Sequence, residues 1–417
     1  MNKAISLHGL FILLIASLFY SYEFIHRLSP GAMIPELMAA YDVSASQLGT
    51  LSAMYFYSYG LFQIPAGIIV DRYPLRYIVF VASICIAFGS LIQAYSFDYF
   101  SVCLARGFIG AGSAFGFVSC VKIGTTWFHE HRLPLIIGIT NLFGVMGAFI
   151  GGAPLVSAIN TFGWQKVYVI SAGIGVLLSV LSILFLKVGP YINESVKEKC
   201  SKTSIRHLLG SKYTWVITFY AALSVSPITA FAELWSLPFF ENVYHLSRNM
   251  ASYANSFIFF GIAIGGPTIG WLSTKLPSPT RLQMSTFSLL ALLALLSILL
   301  GYLGNQFTLF LILFLYGFFT SNMLLSFSLV TKLNSYDCTG LVIGFTNTVI
   351  MVCGAILQPA IGSMIDMYAT RADLAPGDGI ESAIQLSLLP LCLCLILATI
   401  IPLAFRIPSI NSSVENR

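Results

Sequence analysis

The chain has 417 residues, 57% of them apolar and only 9% charged, with a mean hydropathy of +0.86 and a formal net charge of +5. A soluble domain carries about 25% charged residues, and so few charges cannot cover a water-facing surface of this size. A soluble enzyme, a nucleic-acid-binding protein and a disordered chain are excluded, and the bilayer is the solvent.

A spanning helix needs ~20 mostly apolar residues. Twelve such stretches are predicted, over 8–36, 46–70, 77–96, 98–127, 133–158, 166–187, 213–240, 250–274, 282–302, 305–331, 339–366 and 381–405. Lys3 and the apolar run behind it resemble a signal peptide, but no small-x-small cleavage site follows, so the run is read as the first span. Helices are required, because a barrel would show short alternating strands.

The longest polar interruption runs from Gly189 to Lys212. It divides the chain into a first six-helix half over 1–188, a cytoplasmic linker over 189–212 and a second six-helix half over 213–417. Gly138-Ile-Thr140-Asn141 opens the fifth span and Gly344-Phe-Thr346-Asn347 the eleventh, at matching places in the two halves. Repeated halves around a central site are a common plan of secondary transporters. With the N-terminus in the cytoplasm, fifteen of the 21 Lys and Arg residues fall on that side and three on the other, which sets both termini inside.

Ionisable groups within spans are costly unless they face protein or water, at roughly 2.5–3.5 kcal/mol on insertion scales. They are the functional candidates. The first span carries Glu23, His26 and Arg27, with Glu23 and Arg27 four apart on one helix face. The alternative for that pair is simple self-neutralisation. The fourth span carries Arg106 and Lys122, about 160° apart around the axis, so they do not face one cavity together. Lys122 lies nearer the cytoplasm, where it can snorkel. The seventh carries Glu233 and Trp235; an offset of 206 maps Glu233 onto Arg27. Asn141, Asn322, Asn347 and Gln358 complete the candidate substrate and proton pathway, with interhelical hydrogen bonding as the plainer alternative.

After the second span stands Gly67-Ile-Ile-Val-Asp71-Arg72-Tyr-Pro74-Leu-Arg76. Here the sequence resembles the major facilitator superfamily, whose loop between spans two and three reads Gly-x-x-x-Asp-Arg-x-Gly-x-Arg; Pro74 replaces the second glycine. Arg106-Gly-Phe-Ile-Gly110 and Trp127-Phe128, Arg132, Gly138-Ile139 match further motifs. The resemblance implies an all-α membrane fold of two pseudo-symmetric six-helix bundles. It also implies a conformational latch of Gly67, Asp71, Arg72, Arg76 and Arg132, in which Gly67 lets helices approach and Asp71 caps a helix or pairs with a cation. In the second half the loop is degenerate, with Thr274-Lys275 in place of Asp-Arg. Gly147-Ala-Phe-Ile-Gly151-Gly152-Ala-Pro154 departs from the proline-first pattern of drug–proton antiporters, and its glycines read as helix packing. Gly110-Ala-Gly112-Ser-Ala-Phe-Gly116 follows no strand, so it too reads as packing rather than a dinucleotide loop.

The stretch from Tyr22-Glu23-Phe24 through His26-Arg27-Leu28-Ser29-Pro30 to Pro35-Glu36-Leu37 resembles the phagosomal nutrient transporters of intracellular bacteria, several of which carry amino acids or nucleosides; the solute does not carry over with the resemblance, and an amino acid is the first expectation. No ATP-binding loop, metal-ligand set or cofactor motif stands in the sequence, and an enzyme is not expected. The expectation is proton-coupled uptake of a small carboxylate-bearing solute by a monomer in a bacterial inner membrane. Proton-antiport efflux of a drug, metabolite or siderophore is the alternative.

Overall fold

The computed structural model describes residues 7–128, 133–187, 210–276, 278–301, 304–334, 339–372 and 379–405. Among them stand twelve helices long and apolar enough to cross a membrane, and no strand. The linker expected over 189–212 and Arg132 lie outside the described residues, apart from Gly210–Lys212.

Contacts divide the chain into two compact units, one of residues 1–41 with 54–198, the other of residues 42–53 with 199–417. The segment 42–53 therefore clusters apart from its neighbours in sequence. In the first unit the helices are α1 (Leu7–Ala32), α2 (Ile34–Tyr41), α3 (Ala45–Arg72, from residue 54), α4 (Leu75–Tyr95), α5 (Tyr99–Ser113), α6 (Gly116–Trp127), α7 (Leu133–Ile150), α8 (Ala153–Phe162) and α9 (Trp164–Phe185). Here α1 packs on α6 and α7, and α4 on α5 and α9.

The second unit holds the start of α3, then α10 (Lys212–Pro227), a π-helical segment (Ile228–Trp235) and α11 (Ser236–Val243), which together form the seventh span. After these come α12 (Arg248–Lys275), α13 (Thr280–Leu299), α14 (Gln306–Thr320), α15 (Met323–Leu333), α16 (Thr339–Ala372) and α17 (Gly379–Ala404). Within this unit α10 packs on α16, and α13 on α14 and α17. Spans one and five, three and four, and three and six of the first unit thus correspond to seven and eleven, nine and ten, and nine and twelve of the second.

Several spans predicted as single helices are broken. The first ends at Ala32, and Pro35 lies in the first turn of the separate helix α2. The fifth breaks at Gly151-Gly152, with Pro154 in the first turn of α8. The fourth breaks at Ala114-Phe115, where the Phe115 amide tightens onto the Gly112 carbonyl. The tenth breaks at Ser321-Asn322, where the Asn322 amide tightens onto the Phe319 carbonyl in the same way. Spans four and ten also start alike. The Asp98 carboxylate accepts from the Ser101 amide at 2.8 Å, and the Asn305 side chain from the Thr308 amide at 2.8 Å. Cap and break recur at one spacing, so the two spans are one structural unit used twice.

Candidate functional site

The glycines of span four position the first candidate cluster. A Cβ on Gly110 would collide with the Tyr55 carbonyl and Ser58 Oγ of α3, and one on Gly112 would lie 2.6 Å from the Ala82 carbonyl of α4. At Gly116 a Cβ would lie 2.6 Å from Glu23 Oε2 on α1. Each glycine admits a different helix, as the packing reading expected. Close approach at Gly110 brings Tyr55 beneath Arg106, whose Cζ stands 5.0 Å from the ring centre. The Tyr55 hydroxyl donates to Glu23 Oε1 at 3.1 Å, with Glu23 and Arg106 both fully buried. Arg27, also buried, lies 5.3 Å from the ring centres of both Phe24 and Phe56, a cationic head held between two aromatic faces.

Arg106 donates from Nη1 to the His26 carbonyl at 2.8 Å, while its Nε and Nη2 have no hydrogen-bond partner among the described residues. The same buried position in span ten, counted from the matching caps and breaks, is Leu313, itself fully buried. The same cap and break thus occur around an apolar side chain, so they do not require the guanidinium.

His26 turns elsewhere. Its Nε2 bonds Ser171 Oγ at 2.8 Å and Ser90 Oγ at 3.4 Å, and Tyr22 packs on it edge-to-face at 4.8 Å. This ties α1 to α4 and α9, and its carbonyl seats Arg106. Expected on the pathway, the imidazole sits among interhelical hydrogen bonds.

In the second unit Pro227 precedes the π-helical segment, as expected where a missing N–H disturbs the helical ladder. Side-chain amides take up carbonyls of that segment: Gln358 Nε2 donates to Thr229 O at 2.9 Å and Asn255 Nδ2 to Ala232 O at 2.8 Å. Trp235 Nε1 donates to the Gln358 carbonyl at 3.1 Å. Glu233, 3% exposed, belongs to the same segment. Thus Trp235 and Gln358 come together, with Glu233 in the same segment. Asn322 does not join them: it accepts from the Tyr220 hydroxyl at 2.7 Å beside Ser288. Of the repeated Thr-Asn pairs, Thr140 and Thr346 are buried, while Asn141 is exposed and Asn347 half-buried.

The residues expected to form a latch have their own geometry. Lys122, expected on the pathway, instead donates to Asp71 Oδ1 at 2.7 Å across partly exposed side chains. Arg76 stacks on Tyr77 at 4.6 Å, and Arg72 is exposed. Gly67, expected to let a helix approach, has nothing within 4 Å of an added Cβ.

By spacing, Tyr55 reads as a gate or a packing residue, and nothing in the sequence marks Thr229, Ser90 and Ser171 as partners. Tyr55 carried a signal, lying on one face of span two with Tyr59 and Gln63. The serines carried none, since small polar residues are scattered through every span.

The profile of the Major Facilitator Superfamily matches residues 10–372. The chain belongs to the Major Facilitator Superfamily. This facilitator is a membrane transporter and not an enzyme. It is 26% identical over 211 residues to the hexuronate transporter of Bacillus subtilis (strain 168), covering 50% of this chain and 49% of that one. It is 25% identical over 162 residues to the D-galactonate transporter of Escherichia coli O6:H1, covering 38% and 37%. With the probable sulfoacetate transporter SauU of Cupriavidus necator it shares 20% over 234 residues, covering 56% and 53%. The matches therefore span about half or less of these relatives. The crystal structure of a bacterial homolog of the human lysosomal transporter Spinster superposes with a TM-score of 0.80 at 17% identity, over 97% of this chain and 98% of that one, a likeness of fold.

Proposed function

We propose that this facilitator takes up a small carboxylate-bearing solute together with a proton, by alternating access of its two halves. Arg106 carries the reading. It is a buried guanidinium with two nitrogens unmet among the described residues, at a position where the other half of the fold uses Leu313. Leaving such donors unpaired is expensive, and a carboxylate satisfies them in a two-point geometry. Glu23, held by Tyr55 beside Gly116, is the proton-carrying group, and Arg27 is a second cation for the anion. Glu233 serves in the second half. Asn141 offers an exposed amide, and a wetted face is the environment that suits it.

The printed activities of the relatives concern organic anions, hexuronate, galactonate and sulfoacetate. An amino acid, the first expectation from the sequence, shares their carboxylate. The Lys and Arg distribution supports cytoplasmic termini in a bacterial inner membrane, and the protein acts as a monomer.

Proteoliposomes with an acid-outside gradient test this. Accumulation of a labelled sugar acid or amino acid, abolished by a protonophore, is expected. Arg106→Leu should fold, because Leu313 does, and should fail to accumulate either solute. Exit of solute against entering protons refutes uptake, and full accumulation by Arg106→Leu refutes the role of the guanidinium.

A further inference from the structure

Winding Ile228–Trp235 as a π-helix breaks the ordinary ladder, and side chains from two neighbouring spans close on its carbonyls. Gln358 Nε2 of α16 meets the Thr229 carbonyl, and Asn255 Nδ2 of α12 meets the Ala232 carbonyl three residues on. Trp235 Nε1 returns to the Gln358 carbonyl, and Ser236 Oγ adds a bond to the Ala232 carbonyl at 3.3 Å. Every nitrogen of these side chains thus has a partner. The atoms left over are oxygens: Thr229 Oγ1, Asn255 Oδ1 and Gln358 Oε1 have no hydrogen-bond partner among the described residues. Thr229 and Gln358 are fully buried, and Asn255 is 3% exposed. Gly354 lets α16 come this close, since a Cβ there would collide with the Thr229 methyl.

Each amide oxygen shares its carbon with the nitrogen bonded to the segment, and Thr229 and Ala232 are less than a turn apart, so the three oxygens lie along one short stretch of helix. Buried acceptors without donors are expensive. A water meets them badly: its two hydrogens reach two oxygens, and its own oxygen then faces acceptors only. A cation asks for the reverse, an all-oxygen surrounding of amide carbonyls, hydroxyls and carboxylate. Around Arg106 the unmet atoms are donors, which suits an anion; here they are acceptors. Charge sets the valence. Glu233, 3% exposed, is the one ionisable residue between Ile228 and Trp235. A single carboxylate balances a monovalent ion, whereas a divalent ion would leave buried charge in excess.

We propose that Thr229 Oγ1, Asn255 Oδ1 and Gln358 Oε1, beside the charge of Glu233, form a site for a monovalent alkali cation that pins the π-helical segment to α12 and α16. The site involves no solute and stands independently of the carboxylate-uptake reading. The test uses the purified full chain in detergent, with NaCl, KCl and choline chloride at equal ionic strength, so that the anion is constant. Hydrogen exchange in the peptide over residues 228–235 should slow several-fold, and saturably, in NaCl or KCl against choline chloride, while the peptide over residues 99–113 stays unchanged. Equal exchange in all three salts, the result of bound water alone, overturns the site. Equal slowing of both peptides, a general salt effect, overturns it too. Thr229→Val removes one ligand and should raise the half-saturating cation concentration on the order of tenfold, whereas Thr229→Ser should keep it. A wild-type response from Thr229→Val overturns the assignment; if that variant does not fold, the three salts on the wild-type protein decide.

Discussion

Of the four glycines within ten residues of span four, three meet three different environments, and substituting each of these with alanine separates packing from function. Gly107 has nothing within 4 Å of an added Cβ. Alanine there gains only helix propensity, about 0.5–1 kcal/mol. Gly110 meets backbone: besides the Tyr55 carbonyl oxygen, the Tyr55 carbonyl carbon would stand 2.9 Å from the new methyl. Backbone cannot swing away, so an overpacking cost of about 1–3 kcal/mol opposes the same gain and leaves Gly110→Ala destabilised by about 1–2 kcal/mol. Gly116 meets the free end of Glu23 at 2.6 Å and Tyr20 Cδ2 at 3.1 Å. The carboxylate can rotate aside, so stability changes little while Glu23 leaves its seat. Denaturant unfolding of the purified variants in detergent micelles gives the order Gly107→Ala above wild type and Gly110→Ala below it, with Gly116→Ala near wild type but deficient in proton-driven uptake. If Gly110→Ala proves as stable as Gly107→Ala, the account of how Tyr55 is brought under Arg106 is wrong.

Removing the Gln358 amide by Gln358→Leu leaves the Thr229 carbonyl unmet and should cost about 1–3 kcal/mol in the same unfolding measurement, whereas Asn347→Ala should cost far less. The Lys122–Asp71 pair is partly exposed, so Lys122→Gln should cost only about 0.2–1 kcal/mol, shrinking further in high salt; a larger, salt-insensitive loss would contradict an exposed pair. The Asp98 carboxyl is held below the usual carboxylate range by the Ser101 hydroxyl and amide. A lowered folded value means the cap is fully present above the ordinary aspartate value and lost as pH falls through the lowered one. Protection of the Ser101 amide from hydrogen exchange should therefore fall in acid, and Asp98→Ala should show low protection at every pH.

The twelve spans were legible because length and apolarity decide membrane insertion, and Lys and Arg decide orientation. The interruptions were not legible. Gly151-Gly152-Ala-Pro154 reads as helix packing although its composition suits a break, and Ala114-Phe115 and Ser321-Asn322 contain no glycine or proline and break through tightened turns. Glu23, Arg27, Arg106 and Glu233 stood out because charge in a bilayer is costly. The roles of His26 and Lys122 did not stand out, because periodicity gives a helix face without naming the neighbour on it. Asp366 stands at the end of the predicted eleventh span, and no role is read for it there. Only the structure, in which α16 runs on to Ala372, shows it bonded to α3.

The wider coil between Ile228 and Trp235 works like a change of pitch in a screw thread. Winding to the fifth residue instead of the fourth turns each residue through less arc, and over these eight the shortfall amounts to about one residue's rotation, roughly 100°. Side chains after Trp235 therefore point in directions that a count along an ordinary α-helix would assign to their neighbours. Pairing Glu233 with Arg27 by numerical offset therefore does not match their azimuths. The correspondence of the first and seventh spans is thus detuned in this one rod, so that two like segments can present unlike chemistry.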